Sequence, residues 1–223
     1  MAAAELERTN QIVILPRHAG HWTGEGDPLD YYYRPFTARL YRARLALCGR
    51  LLGPGPFDAL LDAGYGSGIF MPELARRARR LVGLDVHADT DEVGASLRAF
   101  GIDAELLTGS VLELPFEEGS FDAVVCISVL EHLRELDRAL AEFRRVLRSN
   151  GLVVLGFPVR NPVTDSFFRL FGHDPREIHP SSHTDILAAS ERAPGLAVEQ
   201  VGRYPWFAPL SLAGYVGVRL GAR

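Results

Sequence analysis

The segment Leu60-Leu61-Asp62-Ala63-Gly64-Tyr65-Gly66-Ser67-Gly68 constrains this chain more than any other. A short apolar run that reaches an acid and then three alternating glycines reads as a buried strand passing into a tight turn. Glycine adopts backbone torsions that a side chain forbids, and it lets a bound molecule approach the main chain closely. The helix expected over 69–80 then offers free N–H groups and a positive dipole end to an anionic group. A second strand, expected over 81–85, ends in Asp85, whose carboxylate can accept hydrogen bonds from the two hydroxyls of a ribose. Together these features describe a nucleoside-containing ligand lying across the carboxyl ends of a parallel sheet.

A dinucleotide fingerprint would place a third glycine where this chain has Ile69. Glycines at 64, 66 and 68, with an acid two residues before the first, instead resemble motif I of the class I S-adenosylmethionine-dependent methyltransferases. The stretch from Glu113 to Val125, with Pro115-Phe116 and Ser120-Phe121-Asp122 inside it, resembles the approach to the fourth strand in the type 11 small-molecule methyltransferases. Ser128-Val129-Leu130-Glu131-His132-Leu133 resembles the segment directly after that strand in the same family. The resemblance runs from about residue 57 to 157 and says almost nothing about the methyl acceptor. It implies S-adenosyl-L-methionine as cofactor and methyl transfer to a small molecule as the activity.

The remainder of the chain alternates strand and helix patterns, which argues for an α/β, Rossmann-like doubly wound sheet of about seven strands. Strands are expected near 58–63, 81–85, 103–107, 121–127, 151–157, 196–203 and 212–219. Helices are expected near 31–52, 69–80, 89–100, 135–148 and 183–193. By the resemblance, the last two strands form an antiparallel hairpin at the sheet edge. Residues 1–56 read as an N-terminal arm and cap helix. Residues 57–223 read as the core, with a lid insertion at about 158–182.

Composition narrows the function classes. The net charge is −4, which gives no broad electrostatic grip on nucleic-acid phosphates. All 24 basic residues are arginine, as expected from codon usage in a GC-rich genome, where tailoring of secondary metabolites is common. Cys48 and Cys126 sit in apolar patterns and read as reduced packing residues. No apolar run is long enough to span a bilayer, so a cytoplasmic protein without stable membrane insertion is expected.

For the cofactor, the resemblance assigns Asp62 to the ammonium group or to ordering the glycine turn. It places Gly64, Gly66 and Gly68 along the amino-acid end, and Asp85 on the ribose. The adenine is expected at Ser110 and Val111, where the family often has an acid before the apolar residue. Serine is shorter and uncharged, so its contact is weaker. Cys126 and Ile127 are expected to wall the same pocket or to pack in the core.

For the acceptor, His132 comes after the fourth strand and suits a general base at neutral pH, or the stabilising of a short turn. His179 and His183 are further candidates, the alternative being helix-start scaffolding with Ser182 or Thr184 as N-cap. Zinc binding by His179, His183 and Asp185 is disfavoured because Pro180 breaks the helical face they would need. A quinone-pathway branch of the superfamily holds a divalent metal with an extra acid three residues before its Glu-His pair. That position is Ser128 here, so no metal is expected. Two aromatic clusters, Tyr31-Tyr32-Tyr33 with Phe36 and Phe167-Phe168-Leu170-Phe171, suit a flat or greasy acceptor, or pack lid against body. Two other classes compete with the methyltransferase: a protein of this fold that binds cofactor without methylating, as an accessory partner or another catalyst, and a nicotinamide-dependent reductase.

Overall fold

The structure, a computed structural model, describes residues 7–9, 12–24, 27–161 and 179–223. Its centre is β3 (Phe57–Ala63), which has a parallel strand on each side and is buried on both faces by the helices packed on the sheet. On one side lie β4 (Ala78–Asp85) and then β5 (Glu105–Thr108). On the other lie β6 (Phe121–Ile127) and β7 (Leu147–Pro158). The sheet is completed by β9 (Tyr215–Ala222) and β8 (Leu196–Tyr204), giving the order β5-β4-β3-β6-β7-β9-β8. Pairing is antiparallel between β7 and β9 and between β9 and β8, as the resemblance implies.

Side chains alternate between two cores, as the period of a strand requires. Leu60, Leu81, Val125 and Val154 face α1 (Ala38–Leu52), α2 (Met71–Ala75) and α3 (Thr90–Ala99). Leu61, Val82, Val124 and Val153 face α4 (Leu136–Val146) and α5 (His183–Arg192). Ser182 caps α5, accepting from the Asp185 N–H, and Asp185 returns the bond to the Ser182 N–H.

Two expected helices are shorter than their patterns. The one expected at 31–52 divides into a 3₁₀ turn at Leu29–Tyr32 and α1. Pro35 between them removes a helical N–H and restricts Arg34 before it. The one expected at 69–80 ends at Ala75, because the Arg77 carbonyl accepts from Phe57 N–H and Ala78 is already in register beside Phe57. An arginine-rich stretch with good helix propensity is drawn into the sheet by tertiary pairing.

The arm folds onto this body through β1 (Glu7–Thr9) and β2 (Ile12–Ile14), an antiparallel pair. Ile12, Ile14 and Leu15 enter the α1-side core. Glu73 of α2, 2% exposed, accepts from Val13 N–H at 2.8 Å and pairs with Arg76 and Arg77. Arg77 in turn donates to the carbonyls of Gly49 and Gly53 at the end of α1. Removing one partner of a buried pair strands the other charge. Glu73→Ala is therefore expected to lower stability by about 3 kcal/mol in urea unfolding, whereas Arg79→Ala, which loses only an exposed pair with Asp58, should change it by less than about 1 kcal/mol.

Candidate functional site

The carboxyl ends of β3, β4 and β6 open on a cleft of about 350 Å³. Its wall includes Asp62, Gly64, Tyr65, Gly66, Asp85 and Ser128 from the sheet end, Tyr32 from the 3₁₀ turn at Leu29–Tyr32, and Arg44 from α1. The glycine turn is bolted to β4: Gly64 N–H donates to the Leu84 carbonyl at 2.7 Å, and Gly66 N–H to Asp85 Oδ2 at 2.8 Å. Asp85 Oδ1 accepts from Val86 N–H at 2.7 Å, and His87 Nε2 lies 3.0 Å from the Gly66 carbonyl oxygen. A carboxylate has about four acceptor positions, so Asp85 keeps capacity for a ligand while being held in place.

The glycines do different work. Gly64 has φ +93°, and a Cβ there would collide with Val129 Cγ2. Gly66 has φ +53° and faces open space. Gly68 does not line the cleft, contrary to its expected place; a Cβ there would press within 2.9 Å of Val93 Cγ1, so this glycine lets α3 pack beneath the turn. Gly64→Ala should cost about 3 kcal/mol or more in thermal unfolding, through both torsion and collision. Gly66→Ala, with torsion alone against it, should cost about 1 kcal/mol.

Three polar groups on the cleft wall have unmet demands. Asp62 is 3% exposed, and burial, with Asp85 adding repulsion, pushes its carboxyl up to about 8. Tyr65 is held edge-on against His87, and its buried Oη has no hydrogen-bond partner. Burial and the nearby Asp85 push its phenol up, so it remains a donor. Arg44 is also buried, its Nε without a partner and its guanidinium 3.9 Å from the Tyr41 ring centroid and 4.9 Å from that of Tyr215. Sequence reading missed Arg44. The available signal was its helical spacing, since residues 44, 48 and 51 share one face and Cys48 and Leu51 are apolar.

Asp62 carries a consequence for stability. Its folded pKa lies above the unfolded value, so the unfolded chain loses the proton first and stability falls as pH rises between the two. In the ligand-free protein, Asp62→Asn is expected to be more stable than the parent by about 1–2 kcal/mol at pH 8. That advantage should shrink toward pH 4, as read by thermal melts across the range.

Not all of the other expected residues reach the cleft. Ser110 and Val111 line it, and Ser110 Oγ accepts from Leu112 N–H at 3.2 Å, so the hydroxyl already shapes its own turn. Cys126 does not reach it. Strand alternation turns Cys126 into the α4-side core, where burial raises its thiol well above the ordinary range, and Ile127 next to it takes the wall position. His132 lines the cleft, and the His179 ring lies against it with centroids 4.9 Å apart. His183 is not among the lining residues; as the first residue of α5, its Nδ1 accepts from Arg160 N–H at 3.3 Å. Of the first aromatic cluster only Tyr32 lines the cleft. Tyr31 stacks on Tyr41, Tyr33 donates to the Leu15 carbonyl, and Phe36 is 97% exposed. Phe167, Phe168, Leu170 and Phe171 lie outside the described residues, as does most of the insertion.

Ser128 is the turning point between β6 and the histidine segment. Its φ of +57° is unusual for a residue other than glycine. The strained backbone is held by Ser128 N–H donating to the Gly156 carbonyl at 2.7 Å and by a 3.0 Å hydroxyl contact with Tyr215.

Residues 61–155 match the family model described as a methyltransferase domain. That stretch runs from β3 into β7 and includes the glycine turn and Asp85. The matched stretch, less than half of the chain, is similar to a methyltransferase domain. Over 131 residues the chain is 33% identical to a probable S-adenosylmethionine-dependent methyltransferase of Mycolicibacterium smegmatis, a stretch covering 57% of this chain and 49% of that protein. The chain thus spans about half or less of the length of the curated relatives it matches. Among solved structures, geranyl diphosphate methyltransferase in complex with S-adenosylmethionine shares the fold at a TM-score of 0.67 and 23% identity, over 92% of this chain and 95% of that one. The 4+2 cyclase SpnF shares it at 0.66 and 19%, over 91% and 86%. No helix among the described residues is long and apolar enough to cross a membrane.

Proposed function

We propose that this protein binds S-adenosyl-L-methionine in the cleft and transfers its methyl group to a small-molecule acceptor. The observation that carries the reading is the set of unmet polar groups, Asp62, Arg44 and Tyr65, on the wall that also presents Gly66 and Asp85. An amino-acid group with opposite charges answers that set: its ammonium would neutralise Asp62, and its carboxylate would take up the Arg44 guanidinium. The ribose hydroxyls would add to the bonds already on Asp85, and the adenine would lie against Val111 and Ile127. When bound, the sulfonium supplies an activated methyl group and leaves as a neutral thioether. The protein needs no nucleophile of its own; its contribution is to hold donor and acceptor in line. His132 would stand on the acceptor side, in reach of a proton released there.

We read residues 1–56 as a cap, since Tyr32 and Arg44 from this part join the wall. An acceptor of secondary metabolism fits the geranyl diphosphate relative in fold. The cyclase neighbour favours one second reading, a cofactor-binding protein that does not methylate, because the same fold is named there for other chemistry.

Ligand pairs separate the two ends of the cleft. Isothermal titration with S-adenosylmethionine and with methylthioadenosine, which lacks the amino-acid group, should show Asp62→Asn and Arg44→Met weakening only the former, by tenfold or more. Asp85→Ala should weaken both, by about 1–3 kcal/mol. Equal losses for both ligands in all three variants would overturn the assignment of ends. Formation of the demethylated product with an acceptor then decides between methyl transfer and the non-methylating reading.

A further inference from the structure

Glu131 has no place in the cofactor scheme, yet it is 3% exposed and its Oε2 is buried without a hydrogen-bond partner. A carboxylate is not left so without something to compensate it. Its neighbours supply a candidate. Ligand atoms of Glu131, His132 and His179 all lie within 4.8 Å of one another. His179, from beyond β7, brings its ring centroid to 4.9 Å from that of His132. The arrangement is built rather than casual: Ser181 N–H donates to the Glu131 carbonyl at 3.2 Å, and Ser181 Oγ to the Leu133 carbonyl. These two bonds clamp the His179 segment onto the turn that carries Glu131 and His132.

We propose that Glu131, His132 and His179 form a binding site for a divalent first-row metal ion beside the cleft, with open coordination positions toward the acceptor. Two imidazoles and one carboxylate suit zinc, cobalt or iron(II) better than calcium or magnesium, which prefer all-oxygen shells. Three protein ligands are the number found where a metal keeps a position for water or substrate. Bond lengths of about 2.1 Å require ligand atoms to close to about 3–4 Å, a contraction that side-chain rotation supplies. His132 lines the cleft, so an oxygen donor entering it can reach the open positions. Only this last role, the holding of an oxygen acceptor, rests on the methyl-transfer reading; the metal site itself does not.

Cobalt(II) alone tests the site on the full chain after stripping with a chelator. One equivalent should bind and give visible d–d absorption. Glu131→Gln and His132→Gln should each weaken binding tenfold or more, while His183→Asn leaves it unchanged. His132 is exposed, so its substitution keeps the test sound even where a change at buried Glu131 or His179 harms folding. No cobalt absorption, or binding unaltered in His132→Gln, would overturn the site. S-adenosylmethionine affinity is read on the same samples without metal, so a failed metal site and a failed cofactor reading give different results.

Discussion

Parallel pairing of β3 with β4 on one side and β6 on the other is the constraint that creates the site. The register sets Asp62 beside Gly83 and Val125, and it ends all three strands at one level. The glycine turn, the Asp85 carboxylate and the histidine segment therefore converge without any being long. A slip of one residue would carry Asp62 into the opposite core and bring Leu61 to the cleft. Burial on both faces, with Leu60 and Leu61 in different cores, is what forbids the slip.

The cleft is assembled at a cost to the ligand-free fold. Asp62 is buried among groups that raise its proton affinity, Arg44 has an unpaired nitrogen, and Ser128 is held at a positive φ. Each departs from what stability alone would select, and they cluster at one end of the sheet. The ring cage around Arg44 offsets part of this, since Tyr41 and Tyr215 face the guanidinium with π surfaces. The buried Glu73, by contrast, is answered by Val13, Arg76 and Arg77.

The sheet and the glycine-turn wall of the cleft were legible in the sequence because both are written locally. Alternating apolar runs mark β3, β6 and β7, and the glycines and Asp85 stand within one strand–turn–helix–strand unit. What escaped was long-range. The length of α2 is set by Phe57 pairing with Ala78, and the helix pattern of 69–80 carries no trace of that. Arg44 reaches the cleft only through the packing of α1 on the sheet. Cys126 and Ile127 differ by one position in a strand, and only the placement of α4 decides which of them faces the ligand. Glu131 and His179 are far apart in sequence, and no spacing rule links them.

The position of β9 has a bearing on how such a chain can be made. β8 is synthesised before β9, yet among the described residues β9 is its one neighbour in the sheet, and β9 also covers the edge of β7. During vectorial synthesis β7 therefore presents bare backbone donors and acceptors until residues 215–222 leave the ribosome, the stage at which a nascent sheet is most exposed to a wrong partner. Tyr215, at the start of β9, also forms one wall of the Arg44 cage and steadies Ser128. A nascent chain halted before that tyrosine has the glycine turn and both aspartates, but not a finished cleft.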